Sequence, residues 1–283
     1  MILLAEKIQE KLAVENAEGD DEWLARKGAS PKLHISSLAG CHRNAHLTMY
    51  EKWPEHPLHQ PATNPHSEYL KALFQLGKDA EKRTFNDLLY TYERVGMEGG
   101  FRLESARWVG EADFFIPPCE DWPTGVIVEH KETSPWGFSQ ATVPYSSHLY
   151  QVLGYQHMFE QEYGERPEAV LFYRLRDWWA QFTVEQKEYS IEWNGTINSK
   201  PKEGFAGKYK QGFLVGILMP EMERLEVLLG SDSLPPTLPS PFAEQFACVS
   251  RGPRYSKVNC KWFDACWPAL AGQEVLETPE AYR

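Results

Sequence analysis

The chain has 283 residues, 42% of them hydrophobic, with ten tryptophans and a formal net charge of −11. That length can bury roughly three quarters of the unfolded surface, which excludes a disordered or fibrous polypeptide and points to about one core. The acidic balance argues against a partner held through a broadly basic surface, and five cysteines in so large a chain argue against a disulfide framework.

Residues 1–66 read as an N-terminal helical segment. MILLAEKIQEKLA is amphipathic, and its apolar run is too short and too soon charged for a signal peptide or membrane span. No other stretch approaches a transmembrane length. The expected compartment is therefore a reducing cytoplasm, that of the host if a phage carries the gene. Cys41 follows in HISSLAGCHRNAHLTMY, where Ser36 or Ser37 is placed to cap a short helix.

Residues 67–230 read as the core. Ser67 to Val95 form a long amphipathic helix with only Gly77 inside it, and Glu81 lies one turn beyond that glycine. Three strand-like runs come next: Gly99–Val109, Glu111–Ile116 and Gly125–Glu132. Cys119, in a Pro-rich turn between the last two, reads as a free thiol. On the third strand Glu129 and Lys131 share a face while His130 points away. With Asp113 on the preceding strand, two carboxylates and a lysine converge at one sheet edge. The carboxylates suit a hard divalent cation, and the lysine can orient or help deprotonate an attacking water, as metal-assisted phosphodiester hydrolysis requires. Taken alone, E-x-K on a strand reads equally as an exposed charged pair.

YSSHLYQVLGYQHMFEQEYG then has helical spacing, with Ser146 or Ser147 as N-cap and Gln151 and Tyr155 on one face. A fifth element, Glu168–Asp177, is dense in β formers. FLVGILMPEMERLEVLLG leads into a helix broken or started at Pro220. Proline density over Ser231–Pro241 rules out regular structure. Residues 231–283 thus read as a connector and a cysteine-bearing tail, within one compact domain overall.

Asp113, then Glu129-His130-Lys131, then Gln151-x-x-x-Tyr155 resembles the PD-(D/E)XK nucleases of the RecB type. That resemblance implies an α/β (α+β) fold with a restriction-endonuclease-like core, a mixed central sheet flanked by helices. It implies catalysis by Asp113, Glu129, Lys131, Gln151 and Tyr155. It also implies Mg²⁺ or Mn²⁺ held by Glu81, Asp113, Glu129 and the His130 backbone carbonyl. Glu81 stands where many relatives place a histidine.

Ser36-x-Leu38-x-x-Cys41-x-Arg43 is similar to the N-terminal segment of the iron–sulfur members, which include the AddB nuclease domain and the CRISPR-associated Cas-four exonucleases. The resemblance implies a 4Fe–4S cluster on Cys41, Cys248, Cys260 and Cys266. Five residues separate Cys260 from Cys266, as in the family, but eleven separate Cys248 from Cys260. Four thiolates suit zinc as well as a cluster, and buried structural cysteines are the plainer alternative.

Basic residues persist locally despite the net charge. Arg174 and Arg176, and a Lys200–Lys210 stretch that includes Lys208 and Lys210, are candidate nucleic-acid contacts or, for the latter, a solvated loop. Trp178 and Trp179 read as core, with base stacking as the alternative. The expected activity is metal-dependent hydrolysis of DNA, on single strands or ends, in recombination and repair, phage replication or CRISPR spacer acquisition, with a recombination or CRISPR-adaptation protein as a possible partner. The alternatives are a catalytically inactive DNA-end or protein-binding module of the same fold, and a restriction-like endonuclease.

Overall fold

The computed structural model describes residues 30–38, 41–60, 68–133, 144–174, 179–198, 200–201, 206–210 and 217–230. Cys248, Cys260, Cys266, Arg176, Trp178 and the expected first helix lie outside these residues. The described strands form one mixed sheet in the order β1-β3-β4-β5-β6-β7-β8, with β2 also paired to β3 and β9 to β7. The strands are β1 (Leu33–His34), β2 (Glu98–Glu104), β3 (Trp108–Ile116), β4 (Val126–Glu132) and β5 (Glu168–Arg174). β6 (Trp179–Gln186), β7 (Ser190–Ile197), β8 (Lys200–Pro201) and β9 (Gly207–Lys210) complete it. The helices are α1 (His42–Tyr50), α2 (Glu68–Tyr92), α3 (Ser146–Tyr163) and α4 (Leu218–Leu229). This is the expected mixed α/β class, a mixed sheet flanked by helices.

The core strands follow from their sequence. Val126-Ile127-Val128 opens β4 with β-branched residues buried on both faces, as a strand in the middle of a sheet requires. β4 pairs with β5 in parallel over seven residues, from Val126↔Glu168 to Glu132↔Arg174. Parallel neighbours need a long crossover, and α3 supplies it. Gly164, with φ +76, ends that helix in the left-handed conformation that glycine adopts without a Cβ penalty.

The two faces hold separate apolar clusters. α3 packs with Ile127, Leu171, Phe115 and Phe182 on one face, where Leu149, Val152 and Leu153 are wholly buried. On the other face Phe114, Ile116, Val126 and Val128 meet Phe85, Leu88 and Tyr92 of α2. α4 is tied to β3 by the Trp108 indole N–H, which donates to Glu226 Oε1 at 2.6 Å.

Several expectations are corrected here. The run Gly99–Val109 is not one strand. β2 ends at Glu104, a turn closes through the Trp108 N–H to Ser105 Oγ at 3.1 Å, and Trp108 already begins β3. Neither Ser146 nor Ser147 caps α3; Tyr145 is the N-cap and Ser146 is buried as the first helical residue. Ser36 and Ser37 lie in a 3₁₀ turn, and Cys41 is the N-cap of α1. The Lys200–Lys210 stretch is no simple loop, because β8 and β9 both pair with β7. Trp179 opens β6 and is 44% exposed, so it is not a core residue. Strands β6 and β7 were not anticipated from the sequence.

Candidate active site

The residues that the D…E-x-K pattern selects lie in the interior of the sheet, which corrects their placement at a solvent-accessible edge. β4 is flanked by β3 and β5, and Glu129 is only 1% exposed. The β3–β4 ladder runs from Ile116↔Val126 to Phe114↔Val128 and stops there. Beyond the last pair the Asp113 carboxylate takes the place of a backbone partner: its Oδ2 accepts the His130 N–H at 2.6 Å.

Alternation along β4 sorts the rest. Glu129 and Lys131 face α3, and Lys131 Nζ donates to Glu129 Oε1. The same ammonium donates to Gln151 Oε1 at 3.3 Å, and Gln151 Nε2 donates to the Tyr155 hydroxyl at 2.9 Å. The helical spacing of Gln151 and Tyr155 thus becomes a continuous polar chain from Glu129 to Tyr155. His130 faces α2, where its Nε2 lies 3.2 Å from Thr84 Oγ1.

The carboxylates crowd one another. Burial pushes Glu129 up to about 8, with the Asp113 and Glu81 charges raising it and Lys131 opposing. Glu81, on α2, is pushed up to about 7 by burial, then by the charges of Asp113 and Glu111. Asp113 is raised by burial, against the lowering effect of Lys131 and the His130 N–H. For Lys131 burial acts downward, but the charges of Glu129 and Asp113 outweigh it and hold the ammonium above its ordinary range. Burial raises the Tyr155 phenol strongly, so it stays protonated.

The donor set is what a hard divalent cation takes: carboxylate oxygens held together against their own repulsion. Glu129 Oε2 is buried with no hydrogen-bond partner, an oxygen that a cation would satisfy. Among the described residues, no three of His, Cys, Asp and Glu are grouped closely enough to ligate an ion as they stand. Glu81, Asp113 and Glu129 fit such a group by chemistry and by the orphaned oxygen, with Lys131 now occupying the other Glu129 oxygen.

Arg174 is not part of this assembly. It faces α2, where NH1 donates to Thr84 Oγ1 and Asp87 Oδ2, both at 2.8 Å. Lys208 lies on β9, 3.9 Å from Glu192, and β9 pairs with β7, well across the sheet from β4. Cys41 is partly buried and forms no disulfide, as does Cys119.

Two groups near the site escaped the sequence reading. His148, one turn before Gln151, has Nδ1 2.7 Å from the Tyr173 hydroxyl, and Tyr173 pairs directly with Lys131 across the ladder. Burial, aided by the Lys131 charge, lowers this imidazole to about 3, so it is neutral at physiological pH. Glu111, two residues before Asp113, adds a charge felt by Glu81 and Asp113. The i, i+3 spacing from His148 to Gln151 was the available signal for the first; E-x-D within one strand was the signal for the second.

No family model matches the chain, and no curated protein matches it. A solved structure, the crystal structure of SSO0001, is similar over 64% of this chain and 76% of that one, at 14% identity and a TM-score of 0.38. A likeness of that size carries no argument. Among the described residues no helix is long and apolar enough to cross a membrane.

Proposed function

We propose that the chain is a metal-dependent DNA nuclease of the PD-(D/E)XK, RecB-type class, hydrolysing phosphodiester bonds in single strands or at DNA ends. One observation carries the reading. Residues spread from Glu129 to Tyr155 meet through Lys131, whose ammonium touches both Glu129 and Gln151. Asp113 enters the same cluster from the next strand. A merely structural strand pair has no need for this convergence of buried charge.

In this reading Glu81, Asp113, Glu129 and the His130 carbonyl hold the cation. Mg²⁺ or Mn²⁺ supplies Lewis-acid activation of water and neutralises charge at the phosphate. Lys131 orients the attacking water and stabilises charge developing on the phosphoryl oxygens. Gln151 fixes the lysine, and Tyr155 fixes Gln151. Cys41, with Cys248, Cys260 and Cys266, is proposed to hold a 4Fe–4S cluster, or zinc, with a structural role. Only Cys41 of the four lies among the described residues.

The test is degradation of end-labelled single-stranded DNA with Mg²⁺ or Mn²⁺, in wild type and in Asp113→Ala, Glu129→Ala and Lys131→Ala. Cleavage that requires metal and is lost in all three variants supports the proposal. Undiminished cleavage in EDTA, or by Lys131→Ala, defeats it. Iron and sulfide analysis of anaerobically purified protein decides the cysteine site: iron with sulfide supports a cluster, and zinc alone leaves only the structural role.

A further inference from the structure

β2 and β3 lose their side-chain alternation together, at one opposed pair of residues. On β3, a Cβ added to Gly110 would meet the Tyr155 ring at 2.5 Å, so Gly110 faces α3, and Ala112 belongs to the same core. Phe114, two residues further on, instead faces α2, its ring centroid 5.9 Å from that of Phe85. Regular alternation would put all three on one face. β2 behaves alike. Phe101 lies against Phe159 of α3 at 5.9 Å, whereas a Cβ on Gly99 would meet Phe85 of α2 at 2.9 Å.

The register pairs Gly99 with Phe114 and Phe101 with Ala112, which leaves Gly100 opposite Asp113 at the break. Gly100 has φ +63, a backbone conformation that L side chains rarely adopt. β4 beside them is regular, with Val128 and His130 toward α2 and Ile127 and Glu129 toward α3. The consequence falls on Asp113. Instead of standing on either face, its carboxylate lies in the gap where the β3–β4 ladder ends and accepts the His130 N–H. From there it lies between Glu129, on the α3 side, and α2, which carries Glu81.

We propose that Gly100 is a positioning residue for this site: its left-handed backbone makes the matched break that sets the Asp113 carboxylate between the two faces of the sheet. The catalytic consequence rests on the nuclease reading; the positioning itself does not. Space is not the constraint, because a Cβ at Gly100 would first meet Glu111 Oε1 at 3.1 Å, the end of a flexible side chain. The constraint is the backbone angle.

The experiment reads the His130 amide in the metal-free, DNA-free protein. Selective ¹⁵N-histidine labelling gives nine backbone amides, and His130→Gln assigns the one of interest. An N–H held by a carboxylate at 2.6 Å resonates far downfield, and Asp113→Ala removes that position. Gly100→Val, which disfavours the left-handed conformation, is expected to lose it, while Gly100→Asn, which tolerates that conformation, keeps it. If Gly100→Val does not fold, Gly100→Ala takes its place in the comparison. A downfield amide retained in the Val or Ala variant, or lost equally in Gly100→Asn, overturns the inference. Cleavage assays run in parallel should show kcat falling in Gly100→Val and preserved in Gly100→Asn. A wild-type protein that cleaves nothing defeats the nuclease proposal and leaves the amide result standing.

Discussion

Lys131 and Glu129, two residues apart on β4, form a direct ion pair that leaves Glu129 Oε2 buried with no hydrogen-bond partner. Lys131→Ala therefore removes more than a catalytic ammonium. It strands a buried carboxylate, and breaking a buried pair from one side costs on the order of 3 kcal/mol while the remaining charge persists. Glu129, already pushed up to about 8 by burial, escapes that cost at low pH by keeping its proton. Urea denaturation should show the variant markedly less stable than wild type at pH 9 and close to it at pH 6. Equal losses at both pH values would mean that the pair is solvated and the burial argument wrong.

The crowded carboxylates also set how the metal-free protein responds to pH. Glu81 and Glu129 titrate near 7 and 8 in the folded state, against an ordinary value of 4.5. The unfolded chain thus ionises first as pH rises, and stability is lost up to the folded values. His130 and His148, lowered by burial to about 4 and 3, act in the opposite sense. They remove stability as pH falls below 6.5. In EDTA the Tm should peak near pH 6 to 6.5 and decline toward pH 8.5. Glu129→Gln should flatten the alkaline decline while abolishing cleavage, and Mg²⁺ should raise Tm more at pH 8 than at pH 6. A Tm that climbs steadily from pH 6.5 to 8.5 in EDTA contradicts this account.

Much of this site was legible because the chemistry is carried by periodicities. E-x-K on a β-branched run and Q-x-x-x-Y on an amphipathic helix each specify a face without knowledge of the partner. What the sequence hid were relations between strands. Nothing in GEADFF says that the ladder ends at Phe114, or that Asp113 caps the His130 N–H. The Gly99-Gly100 pair hinted at an irregular strand, though not at which residue across the sheet would be turned. Burial misled as well. A charged triplet at a strand terminus reads as an exposed edge, yet β5 and α3, contributed from further along the chain, enclose it. Arg174 misled for a related reason, since Asp87 is 87 residues away and no local pattern announces it.

Arg174 gives a third prediction. Its guanidinium is engaged with Thr84 and Asp87 on the α2 side, so it is not free to neutralise a phosphate. Arg174→Ala should leave the salt dependence of single-stranded DNA binding unchanged, whereas loss of a phosphate contact lowers the slope of log K against log salt by about 0.7. The cost should appear in folding instead, at about 1 kcal/mol for a half-exposed pair and its hydrogen bonds. A shallower slope with unchanged stability would restore Arg174 as a DNA contact.

Gln151 and Tyr155 act in series, and the order of the contacts fixes what their variants do. Tyr155 accepts from Gln151, and Gln151 accepts from Lys131, so the phenol reaches the lysine only through the amide. Tyr155→Phe is the informative change. Tyr155→Ala would open a cavity in a residue only 3% exposed, at a cost of several kcal/mol, and confuse packing with chemistry. Losing one such hydrogen bond is expected to lower kcat by between about threefold and tenfold. Gln151→Ala removes both links and should cost at least as much as Tyr155→Phe. Once Gln151 is gone the Tyr155 hydroxyl has nothing to orient, so the double variant should be no slower than Gln151→Ala alone. Single-turnover cleavage rates of the four proteins complete the cycle. Losses that multiply in the double variant would show Tyr155 acting on the substrate by a route of its own.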